Sequence, residues 1–116
     1  MNREIQKEAR AYKVEIFIGC DDVRDAHLIC EDFCTDVGLC VTVTPTVFTY
    51  RNGRCDGVII GLINYARFPK GSCHIFQTAV DLAYKLKQGL TQGSFTVQDD
   101  ERSIFISTRD EDQCVN

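Results

Sequence analysis

The chain has 116 residues, a formal net charge of −4, 44% hydrophobic and 26% charged residues, which suits one globular domain that buries its core without disulfides or metal. The acidic balance argues against DNA or RNA as a partner, since binding a phosphate backbone needs a basic face. No apolar run approaches the roughly 20 residues that cross a bilayer, so no membrane partner is expected.

The opening segment, Met1–Arg10, is polar and charged, and carries no signal-peptide hydrophobic run. A cytoplasmic protein is therefore expected, a single domain over 1–116 with polar tails at about 1–11 and 110–116 that fray. Seven cysteines occur, Cys20, Cys30, Cys34, Cys40, Cys55, Cys73 and Cys114. Their odd number and the lack of a CxxC pair predict reduced thiols rather than a disulfide framework.

Lys13–Ile18 alternates cleanly and predicts a first strand with Val14, Ile16 and Ile18 on one face. Asp21 or Asp22 is placed to cap a helix over 22–37, whose stripe of Val23, Ala26, Cys30, Cys34 and Val37 faces the core. Gly38 is its natural stop. Tyr50-Arg51-Asn52-Gly53-Arg54 sets Asn-Gly between two β-rich runs, a strong hairpin signal. A two-residue turn at Asn52–Gly53 pairs Arg51 with Arg54 and Val47 with Val58. One face of that hairpin then holds Val41, Val43, Pro45, Val47, Val58, Ile60 and Leu62. The other holds Phe48, Tyr50, Ile59 and Ile63, too apolar for plain solvent surface, and these four predict an interface between copies in a homo-oligomer.

Ser72 is expected to cap a second helix of 73–88 with Ile75, Phe76, Ala79, Leu82, Ala83 and Leu86 buried. Ser94–Gln98 and Ser103–Thr108 predict two strands around an acidic turn at Asp99-Asp100-Glu101. The order β-α-β-β-α-β-β predicts an α+β fold. Two helices pack on one face of a mainly antiparallel five-stranded sheet, a ferredoxin-like variant.

Candidate sites are few. His27, Cys30 and Cys34 share helical spacing, but the thiols sit in the apolar stripe and the spacings of zinc sites are absent, so no metal and no cofactor is expected. Cys73 beside His74 is a poor nucleophile–base pair, because adjacent helical side chains diverge. The carboxylates at Asp21–Asp22 and Asp99–Glu101 read as solvated turns, and no catalytic residue is assigned. The segment Tyr65-Ala-Arg67-Phe68-Pro-Lys70-Gly71-Ser72 leaves a strand and opens a helix. Its cations, its aromatic rings and the helix start suit a phosphorylated purine. The expected ligand-binding residues are Asn64, Tyr65, Arg67, Phe68, Lys70 and Arg109.

The strand ending Ile16–Asp21, the Asn-Gly hairpin, the run Gly57–Tyr65 and the late strand Ser103–Arg109 together resemble the Thoeris anti-defence sponge proteins of phages. The resemblance implies a small, non-enzymatic α/β oligomer in the infected bacterial cytoplasm. It implies a cyclic ADP-ribose isomer, or a cyclic oligonucleotide, as a ligand captured and left intact. Two rival readings stand beside it: a phage protein that acts on a host protein through the exposed sheet face, and a small thiol-dependent or nucleotide-cleaving enzyme.

Overall fold

Val14, Ile16 and Ile18 alternate with Lys13, Glu15 and Phe17 along β1 (Lys13–Gly19), and this alternation becomes the two faces of a sheet. The computed structural model describes residues 3–113. After β1 come α1 (Val23–Val37), β2 (Thr42–Tyr50), β3 (Gly53–Ile63), α2 (Ser72–Gly89), β4 (Ser94–Gln98) and β5 (Ser103–Ser107). A single 3-10 turn, Asp110–Asp112, lies in the segment expected to be a frayed tail, whose last residues, 114–116 with Cys114, fall outside the described residues.

The sheet order is β2-β3-β1-β4-β5, with every neighbouring pair antiparallel. Each helix therefore bridges two strands that flank a third: α1 spans from β1 to β2 across β3, and α2 from β3 to β4 across β1. This is the ferredoxin-like plan with β5 added outside β4, as the element order predicts.

One face of the sheet supplies Val14, Ile16, Ile18, Val58, Ile60, Leu62, Phe95 and Val97 to the core. α2 covers it with Ile75, Phe76, Ala79, Leu82, Ala83 and Leu86, while α1 buries only Ala26 and Cys30. Each fully buried aliphatic or aromatic side chain contributes about 1.5–3 kcal/mol, so α2 is the main cover of the sheet and α1 the lesser one. Val37, expected on the α1 stripe, is 48% exposed because the helix ends there.

Local chemistry fixes the ends of the helices. The Asp22 carboxylate accepts the Arg24 backbone N–H at 3.0 Å and starts α1, and Gly38 ends it in the left-handed conformation, φ 72°. At α2 the expectation shifts by one residue. Ser72 is the first residue of the helix rather than its cap, the cap position belongs to Gly71, and no side chain caps the helix.

The hairpin also differs from expectation. Tyr50 pairs with Gly53, Thr49 with Arg54 and Val47 with Asp56, so the turn residues are Arg51 and Asn52. Asn52, rather than Gly53, takes the left-handed backbone, φ 68°, which asparagine tolerates better than most residues. Gly53 instead lies under the Tyr50 ring. The partners of β2 move by two residues, and an even shift leaves every side chain on its expected face.

Both helices pack on the same side, and the opposite face carries the row Thr44, Ile59, Phe17, Thr96, Phe105 straight across all five strands. Phe105 is 55% exposed and Ile63 46%. Pairing of β3 with β1 begins only at Gly57, so residues 47–56 extend past the sheet as a two-stranded arm. At its root the Phe48 ring lies on Gly57, where a Cβ would overlap the ring and meet the Ile18 carbonyl oxygen at 2.7 Å. Gly57→Ala is expected to cost about 1–3 kcal/mol, read as a lower urea midpoint; an unchanged midpoint would show that the ring and strand move aside freely.

Candidate functional site

One end of the sheet gathers four chain segments. These are the residues before β1, the end of β3, the β4–β5 turn, and the loop that enters α2. Between them lies a cleft of about 480 Å³, lined by Arg10, Ala11, Tyr12, Asn64, Lys70, Gly71, Ser72, Asp99, Asp100 and Glu101. Small-molecule sites commonly measure about 300–1,000 Å³.

Asn64 ties the cleft together. Its backbone N–H donates to the Tyr12 carbonyl at 3.0 Å, its Nδ2 donates to the Arg10 carbonyl at 2.8 Å, and its Oδ1 accepts the Lys70 backbone N–H at 2.9 Å. Tyr12 forms the second tie. Its hydroxyl donates to Asp99 Oδ2 at 2.7 Å, across 87 positions of sequence. The other Asp99 oxygen accepts the backbone N–H groups of Glu101 and Arg102 at 2.9 and 2.8 Å.

These contacts set the charges. The Tyr12 hydroxyl, followed by the Arg102 and Glu101 N–H groups, holds the Asp99 carboxyl below its usual range. Burial first, and the Asp99 hydrogen bond second, push the Tyr12 phenol upward. A neutral phenol thus faces a fixed carboxylate, with Asp100 and Glu101 beside it. Lys70 and the uncapped first turn of α2 form another wall, where helix geometry leaves N–H groups free.

A smaller cavity, about 60 Å³, lies across Lys70 between the end of α1 and the start of α2; its lining includes Leu39, Leu62, Tyr65, Phe68, His74 and Ile75. Tyr65 and Phe68 pack on each other, ring centres 5.7 Å apart at 38°, and the Tyr65 hydroxyl donates to Cys40 Sγ at 3.5 Å.

The sequence-predicted residues therefore divide. Asn64 and Lys70 line the large cleft, Lys70 also borders the small cavity, and Tyr65 and Phe68 line only the small cavity. Arg67 is exposed on the loop. Arg109 is at the opposite end of the sheet, paired with Asp112 at 3.2 Å and laid along Gly93. Tyr12 and the Asp99–Glu101 turn, which sequence reading left out of the site, are its most ordered polar groups. One signal for Tyr12 was present: extending the β1 alternation back by two residues puts it on the Val14 face.

Two of the thiols stand apart from the cleft. Cys20 and Cys30 are in the core, and burial pushes the Cys30 thiol up to about 12, which removes the thiolate that a nucleophile needs. Among the described residues, no group of three or more His, Cys, Asp and Glu is placed to hold a metal, and no helix is long and apolar enough to cross a membrane.

No family model and no curated sequence matches the chain. Two solved structures do. A phage SAM lyase in complex with S-methyl-5'-thioadenosine superposes with a TM-score of 0.64 and 13% identity, over 92% of this chain and 97% of that one. A phage SAM lyase in the apo state gives 0.65 and 12%, over 92% and 98%. The chain shares its fold with phage SAM lyases.

This finding corrects the expected function. The expectation was a non-enzymatic Thoeris-type sponge that holds a cyclic ADP-ribose isomer intact. The two solved chains that superpose on this one are lyases, and the molecule bound to one of them is an adenosine thioether, not a cyclic nucleotide. The expected absence of enzyme activity falls with it. What drew the resemblance was strand alternation and a hairpin, features that any β-α-β-β-α-β chain displays. A phage protein and an adenosine-type ligand are common to both readings.

The Asp99 pairing gives a pH test. A carboxyl held below its unfolded value contributes stability that is present above about pH 4 and lost as pH falls through its folded value. Tyr12→Phe removes the largest cause of the shift. The stability gap between wild type and Tyr12→Phe, followed by thermal melts from pH 7 to pH 2, is expected to narrow below about pH 4. A gap constant with pH would show that the phenol does not act on the Asp99 charge.

Proposed function

We propose that this chain binds S-adenosylmethionine in the cleft at the sheet end and cleaves it to S-methyl-5'-thioadenosine. The observation that carries the reading is the fold likeness over nearly the full length of both chains to a lyase holding that thioether. The cleft supports it. Its volume suits an adenosyl ligand, and its walls carry both signs of charge. S-Adenosylmethionine itself carries a sulfonium and an ammonium beside one carboxylate. The Asp99–Glu101 turn faces the cations, and Lys70 with the α2 start faces the carboxylate.

The chemistry asks little of the protein. The product keeps the methyl group, the sulfur and the nucleoside, so the bond that breaks joins sulfur to the amino-acid chain. Its electron pair stays on sulfur and neutralises the sulfonium. When the ligand's own carboxylate takes the carbon, a five-membered lactone closes, and the protein supplies neither nucleophile nor proton. Its work is then to fold the amino-acid chain onto itself and to exclude water.

We also propose that the uncovered sheet face is where copies of this chain meet, through Phe48, Tyr50, Ile59 and Ile63 together with Phe17 and Phe105. The charged residues at that face pair with each other, Lys13 with Glu15 at 3.7 Å and, at its edge, Arg109 with Asp112 at 3.2 Å. Two copies therefore approach there without the repulsion that a net charge of −4 creates elsewhere.

Purified protein incubated with S-adenosylmethionine is expected to yield S-methyl-5'-thioadenosine on chromatography, and an unchanged substrate would end the lyase reading. Asp99→Asn and Lys70→Ala are each expected to lower kcat/KM by about 10–100-fold, the loss of one charge-assisted contact. Light scattering after size exclusion is expected to give a multiple of the 13.1 kDa chain mass, reduced to the monomer by Phe105→Lys with Ile59→Lys. A wild-type monomer would remove the interface.

A further inference from the structure

We infer that Asn64 is a positioning residue that latches the segment before β1 in place as one wall of the cleft. The inference rests on the reading of this cleft as the S-adenosylmethionine site. Among the described residues, that segment makes three hydrogen bonds to the rest of the chain. Two come from Asn64, to the carbonyls of Arg10 and Tyr12, and the third runs from the Tyr12 hydroxyl to Asp99. No strand pairing helps, because the β1 register begins at Lys13. Residues 3–12 have no regular structure, and Ile5 is 84% exposed.

The same carboxamide also holds the facing wall. Its Oδ1 accepts the Lys70 N–H while its Nδ2 donates to Arg10, so one side chain spans the gap between the two walls. The two bonds have opposite polarity, and the site therefore needs a group that donates and accepts at once. Aspartate accepts only. Asn64→Asp keeps the Lys70 bond and sets an oxygen against the Arg10 carbonyl, which removes one of the first wall's three ties and leaves the second wall held. Alanine removes the side-chain tie to each wall. The role differs from the one expected for Asn64, since its amide is committed to the chain rather than to a ligand.

The experiment is limited trypsin digestion after Arg10, followed by mass spectrometry, with kinetics beside it. Without ligand, Asn64→Asp is expected to be cut after Arg10 about five- to tenfold faster than wild type, the effect of one lost hydrogen bond on a local opening. Cleavage after Arg24, inside α1, stays at the wild-type rate and reports an intact fold. S-Methyl-5'-thioadenosine is expected to slow the Arg10 cut in wild type and to slow it less in the variant. KM for S-adenosylmethionine rises about tenfold with kcat little changed, the signature of lost uniform binding. Equal Arg10 cleavage in wild type, Asn64→Asp and Asn64→Ala overturns the latch. A faster cut in the variants, with no ligand effect in wild type, upholds the latch and overturns the cleft as the ligand site.

Discussion

The central strand is the constraint on which the site depends. β1 has a neighbour on each edge, β3 and β4, and Val14, Ile16 and Ile18 are 0–2% exposed. With both neighbours antiparallel to it, the chain must return from β1 to β2, and from β3 to β4, by crossovers. The helices of these crossovers fall on one side. The start of β1, the end of β3, the β4–β5 turn and the entry to α2 then share one end of the sheet. The cleft is a product of topology before it is a product of any single side chain.

Much of this was legible in the sequence, because it is written in local periodicity. The alternation of Lys13–Ile18, the Asp22 cap and Gly38 stop of α1, and the buried stripe of α2 each follow from neighbours in sequence. The hairpin register was not, since a shift of two residues preserves both faces and leaves no trace in the hydrophobic pattern. Only the turn itself decides, and it falls at Arg51–Asn52, with Asn52 in the left-handed conformation, rather than at Asn52–Gly53.

The site was half legible for the same reason. Asn64 and Lys70 lie on a strand-to-helix loop, a local feature that marks itself. Tyr12 and Asp99 lie 87 positions apart and meet only because β1 and β4 are neighbours. From sequence the Asp99 turn is one more solvated acidic loop. Arg109 shows the opposite failure. A cation near the end of a strand looked available, but the antiparallel register carries it to the far end of the sheet, where Asp112 neutralises it. Whether a binding fold performs chemistry lies further still from local pattern, since one fold hosts many activities.

The segment Arg10–Tyr12 has two sides, and this links the cleft to the uncovered face. Arg10, Ala11 and Tyr12 line the cleft on one side. On the other, Ala11 and Tyr12 border a shallower hollow with Lys13 and Ile63, which belong to the uncovered face. A body seated on that face therefore touches the outer side of the same wall whose inner side meets a ligand. The wall hangs from Asn64 and Asp99 by three hydrogen bonds, each worth about 1 kcal/mol. The same β1–β3 register that sets Lys13 opposite Ile63 thus places this short segment between the cleft and the uncovered face.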